Sequence, residues 1–301
     1  MTSVSFYPNT LYPYSFINTN YQSNPINSTN RDAVKTTFET FQDSLTLRSP
    51  KEIKMEKLNK LFPNGSLITT YYQMNKEFGI DKPAKLNLVD EKDCKVGGGY
   101  TFTKNEINMN LSDLIESDTK IIGIKNGVAT TLVAPNEQLP LFVDKKSAQE
   151  FIKTQSLQGN MGYDQLIAVP VTANEQKKFI LQKIAHEVIH SQQHMIMRNS
   201  ENIGTKEIIK AWNNHTPENL IEKFYYGIKN YIDYKMSVWD KIEKEVEALD
   251  NEAMNETATT WLNAVKNYAE VDTQEYLKND LETDANNRAA EYIQNKYGAW
   301  N

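Results

Sequence analysis

A single cysteine, Cys94, stands among 301 residues. It excludes an intramolecular disulfide and any metal cage built from several thiolates. No base can be assigned to it, so it reads as a bland thiol rather than a nucleophile. No run approaches the ~18–20 apolar residues of a membrane helix, so no membrane partner is expected. The opening MTSVSFYPNTLYPYSF has no charged leader and no continuous apolar stretch. Cytoplasmic residence is therefore the default expectation, although leaderless export would leave the same blank. Positive charge is also short: 33 Lys and Arg against 39 Asp and Glu give a net −6 and a pI near 5.4. That balance argues against a general nucleic-acid partner. Only four histidines occur.

What is present suffices for a core, since 39% of the residues are hydrophobic and 16 are Tyr. Residues 1–30, rich in Asn, Ser, Thr, Tyr and Pro, read as a flexible tail. From Asp32, Val34, Phe38, Phe41 and Leu45 recur at helical spacing. Ser49-Pro50-Lys51-Glu52 is a capping box for a second helix to about Phe62. After the Pro63-Asn64-Gly65 turn, Ser66 can cap a third helix that Gly79 can close. The period then drops to two. Leu86, Leu88 and Val89 suggest a strand; Tyr100 and Phe102, a turn at Lys104-Asn105-Glu106, then Ile107, Met109 and Leu111 suggest a hairpin. Further strands are expected at 120–124, 128–134, 140–143 and 166–171, with a short helix capped by Ser147-Ala148-Gln149-Glu150 between the last two.

From Thr172 onward only helix is expected. Thr172-Ala173-Asn174-Glu175 is another capping box, opening a helix to about Arg198. Helices near 205–213, 217–268 (broken, with Gly227 one candidate point) and 280–297 follow. The fold class expected is α+β: N-terminal helices and a small mixed sheet in 31–200, then an all-helical half over 201–301.

The chemistry sits in the Thr172 helix, at His186-Glu187-Val188-Ile189-His190, an HExxH motif. Residues four apart share one helical face, so both imidazoles can reach one small tetrahedral cation. Glu187 can then accept a proton from water at the remaining coordination position. Chance produces such a motif in about one chain in 240 of this composition, which makes two structural histidines the weaker reading. His194 cannot complete a three-histidine site, because on a straight helix it lies ~12 Å along the axis from His186. It is expected at the surface or rim, or behind a ligand.

HEVIH resembles the zinc-binding motif of gluzincin-type metallopeptidases, which take a third ligand from a Glu on a later helix, commonly within Glu-x-x-Ala-Asx. The long metzincin signature is absent. The resemblance implies a zincin-like fold for 31–200, Zn²⁺ as cofactor, and a ligand supplied by 201–301. Glu282-Thr283-Asp284-Ala285-Asn286 with Ala289 matches the later pattern in full. Glu245-Val246-Glu247-Ala248-Leu249 matches it in part, leaving Glu245 and Glu247 as competitors. Ala285 and Ala289 lie on the face of Glu282, where small side chains let two helices approach. Asn286 could orient a ligand histidine. Tyr276 could stabilise an oxyanion, against its plainer role in packing. One strand of the hairpin near 100–111 could pair with an extended peptide, as substrate-flanking strands of zincins do.

The reading is a zinc-dependent peptidase with His186, His190 and Glu282 as metal ligands, Glu187 as general base, and a protein or peptide as substrate. Two rivals stand beside it. One is a non-catalytic helical interaction protein with a degenerate HExxH, favoured by the long polar helical stretch at 217–268. The other is an exported effector or toxin protease using the same chemistry.

Overall fold

The computed structural model describes residues 49–90, 98–133, 141–157, 159–200, 203, 205–213, 252–268, 276 and 278–300. The expected tail, the helix from Asp32, Cys94, Gly227, Glu245 and Glu247 lie outside them.

Helix α1 (Pro50–Leu61) starts at the capping box: Ser49 Oγ accepts from the Glu52 N–H, and the Glu52 carboxylate accepts from the Ser49 N–H at 2.7 Å. Helix α2 (Ser66–Glu77) departs from expectation at its start. Gly65, left-handed at φ 70°, occupies the capping position, and no side chain caps the helix. The Pro63–Gly65 turn consumes the residues in front of it, which moves Ser66 into the first helical turn. At the other end Gly79 closes α2 as expected. At φ 71° it donates to the Lys76 carbonyl, while Ile80 donates to that of Asn75, a Schellman motif.

Two three-stranded sheets follow, where the sequence suggested one small mixed sheet. In the first, β1 (Lys85–Val89) lies parallel to β3 (Glu106–Asn110), which pairs antiparallel with β2 (Gly98–Thr101). The order β1-β3-β2 leaves β2 at an edge. The hairpin is present, with Tyr100 opposite Ile107. Phe102 lies in its turn rather than in a strand, and Leu111 begins the short helix α3 (Leu111–Ile115), capped by Asn110. The second sheet is antiparallel, β5-β4-β6, from β4 (Thr119–Lys125), β5 (Val128–Thr131) and β6 (Gln165–Pro170). Its tight turn is Asn126-Gly127, both at positive φ, the chemistry a two-residue hairpin requires. The strand expected at 140–143 shrinks to one bridge, Phe142 to Thr119. Helix α4 (Lys145–Ser156) covers this sheet and is capped by Asp144, three residues before the Ser147 box expected to do so. The Tyr163 ring lies so close over Gly123 that a β-carbon there would sit 2.4 Å from it.

Helix α5 (Ala173–Asn199) is the spine. It opens at the Thr172–Glu175 capping box. Around it α1, α2, the first sheet and α8 (Asp280–Tyr297) bury Leu58, Met74, Ile107, Met109, Ile184 and Ile293. Its C-terminal end packs with α6 (Thr205–Asn213) and α7 (Glu252–Lys266) around Met197, Ile208, Trp261 and Val265. At its N-terminal end Glu175 forms an ion pair with Lys120 of β4, both side chains under 10% exposed, which ties the helix to the second sheet. Among the described residues no helix is long and apolar enough to cross a membrane.

Candidate metal centre

The motif segment of α5 is buried on most sides: Ile184, Ala185, Val188 and Ile189 are fully enclosed. His186 and His190 face the remaining crevice, toward α8. That helix can lie close because the side chains it turns inward are Ala285 and Ala289, both fully buried. Asn279 fixes where it begins, since its side chain accepts from the Leu281 N–H and donates to the Ala264 carbonyl at the end of α7. Glu282 is thereby delivered in the first turn of α8, 1% exposed.

The three side chains converge. The His186 and His190 Nε2 atoms are 3.0 Å apart. Glu282 Oε2 lies 3.2 Å from the first and Oε1 3.3 Å from the second. Bonds of about 2.0–2.1 Å in a tetrahedron separate neighbouring ligand atoms by about 3.3 Å, so the spacing fits a zinc ion. The electrostatics fit as well. Burial alone would push the Glu282 carboxyl up, yet the two imidazoles outweigh it and hold the group far below the usual carboxylate range. Burial would lower His190, but Glu282, with Glu187 adding to it, raises it to about 9. The site draws positive charge to its centre.

A cleft of about 210 Å³ opens onto the cluster. Glu187 lines it, 8% exposed and next in sequence to the first ligand. So does Tyr276, whose ring meets that of Tyr268 edge-on at 5.5 Å. The Tyr268 hydroxyl donates to Glu282 Oε1. Burial first, and the Glu282 charge second, raise both tyrosines far above their ordinary range, so both remain proton donors. The edge of β2, Gly98-Gly99-Tyr100, also lines the cleft. A β-carbon on Gly99 would meet nothing within 4 Å.

Several expectations are revised. His194 is 7% exposed and lies beneath the hairpin, stacked on Phe102 with ring centroids 5.3 Å apart, rather than at the surface. Its Nδ1–H donates to the His190 carbonyl at 2.9 Å, and burial pushes it down to about 3, leaving it neutral. The Nδ1 atoms of the histidine pair are accounted for without Asn286: that of His186 meets no hydrogen-bond partner among the described residues, and that of His190 is held by Gln193 at 2.8 Å. Gln193 escaped the sequence reading, although its place three residues after His190 on the same helical face was a usable signal. Tyr268, just past the end of α7, offered none.

No family model, no curated protein and no solved structure matches the chain.

Proposed function

We propose that the protein is a zinc-dependent peptidase of the HExxH type with a zincin-like arrangement. One observation carries the reading: a buried carboxylate from a separate helix, Glu282, meets the His186 and His190 pair at ligand spacing, with Glu187 in the same cleft. His186, His190 and Glu282 would hold the ion. When bound, it supplies a Lewis acid and lowers the pKa of water at its open position toward ~7. The chain's own groups do the rest. The Glu187 carboxylate takes the proton of the attacking water and passes it to the leaving amine nitrogen. The Tyr276 hydroxyl donates a hydrogen bond to the substrate carbonyl oxygen as charge builds on it. An extended peptide pairs with the edge of β2 that no described strand covers, where Gly99 leaves the backbone uncrowded. The antiparallel edge strand beside the motif helix supports the zincin likeness.

Protein purified without chelator should contain one zinc per chain by elemental analysis. Glu187→Gln should retain that zinc and lose turnover of a quenched peptide library by about 10²-fold or more. Metal-free wild-type protein would refute the centre, and a fully active variant would refute the assigned base.

A further inference from the structure

Gln193 is fully buried and hydrogen-bonded at both ends of its amide. One end faces the Leu281 carbonyl at 3.1 Å and Asp284 Oδ2 at 2.8 Å. Both are acceptors, so that end is the NH₂ group. The other end is then the carbonyl, and it faces His190 Nδ1 at 2.8 Å. A carbonyl only accepts, so His190 Nδ1 carries a proton, and Nε2, on the side of Glu282 and His186, is the nitrogen left to offer its lone pair when a metal is bound. Turning the amide over would set NH₂ against N–H and oxygen against two acceptors, so its orientation is fixed.

Asp284 is itself held. Arg288 Nη1 donates to it at 3.3 Å, Arg288 Nη2 donates to Gln192 Oε1, and Gln192 Nε2 donates to the Phe78 carbonyl at the end of α2. The chain of contacts thus runs from a ligand ring through α8 and back to the N-terminal helices. His186 has no such support among the described residues, where its Nδ1 meets no partner.

We propose, resting on the metal reading above, that Gln193 is a positioning residue that fixes the tautomer of His190 and makes it the anchoring ligand, with Asp284 locking Gln193 in place. The test is zinc affinity by competition with a chromophoric chelator. Gln193→Met, which keeps the volume and loses both hydrogen-bonding ends, should weaken zinc by about 10–100-fold. Should Gln193→Met fail to fold, Asp284→Ala, at a side chain 30% exposed, replaces it with an expected loss of about threefold or more. In the zinc-loaded wild type, ring ¹⁵N spectra of the four histidines should show His190 carrying its proton on Nδ1. Wild-type protein that binds no zinc would sink the metal centre and this proposal together. Zinc-binding wild type with an unchanged Gln193→Met, an Asp284→Ala unchanged where it stands in, or zinc bound through Nδ1, would sink this proposal alone.

Discussion

Zinc should stabilise the folded chain by an amount set by free zinc concentration. About 90 residues separate His190 from Glu282, so unfolding disperses the site and only the native state grips the ion well. Ligand linkage then adds about 2.7 kcal/mol at free zinc 100 times the Kd and about 4.1 kcal/mol at 1,000 times. With an unfolding entropy of about 2.1 cal/mol/K per residue, a chain of 301 residues loses about 0.6 kcal/mol per degree near Tm. Tm should therefore rise by about 4 °C and about 7 °C at those two concentrations, and by about 2 °C per further tenfold. Differential scanning calorimetry in zinc-buffered solutions reads this directly. Glu282→Ala supplies the control, because it leaves the histidine pair but opens the site. A wild-type Tm that stays flat across the zinc series, or an undiminished slope in Glu282→Ala, would refute the reasoning.

Lys120→Met should cost about 3–5 kcal/mol at pH 7 by urea unfolding, because it leaves the buried Glu175 without its cation. Burial pushes Glu175 up, but Lys120 and Thr172 outweigh it and hold it below its ordinary value. The pair's contribution is complete above the ordinary glutamate value of about 4.3 and is lost as pH falls through the lower native one. The gap between wild type and variant should narrow in acid; an equal gap at both pH values would contradict the assignment. Tyr276→Phe should lower kcat by about 10²-fold with zinc content unchanged, and an unaltered kcat would remove the tyrosine from the reaction. Gly98→Ala drives a β-carbon to 2.7 Å from the buried Met109 sulfur and should cost about 1 kcal/mol or more. Gly99→Ala meets nothing and should leave Tm alone while raising KM; a lowered Tm with unchanged KM would place Gly99 in the packing instead.

Local structure was legible where local chemistry decides it. The Ser49 and Thr172 capping boxes and the Gly79 stop are contests among neighbouring backbone groups, so the sequence states them and the structure keeps them. Leu111 alternated with Met109 and still left the strand, because Asn110 offers a cap and the cap wins. Partner choice was not legible: period two marks β1 through β6 without saying which strands join, and so two sheets read as one. At the site, Glu282 could be favoured because Ala285 and Ala289 announced a close helix contact, a tertiary fact written in side-chain size. Tyr268 carries no such mark, and Gln193 only its place three residues after His190. A buried glutamine is defined by what stands opposite it, here Leu281 and Asp284 from a helix about 90 positions away.

The unbroken helix that carries both the Lys120 contact and the His186 and His190 pair also constrains how such a gene can drift. Glu175 is anchored to one sheet, and His186 must face α8, with regular helix between them. Inserting or deleting one codon in that interval would rotate the histidine by about 100° relative to its anchor and shift it about 1.5 Å along the axis. Descendants of this chain that retain the centre should therefore exchange side chains between these two positions, within what the buried Phe179, Ile180 and Ile184 allow, and keep the length of the interval.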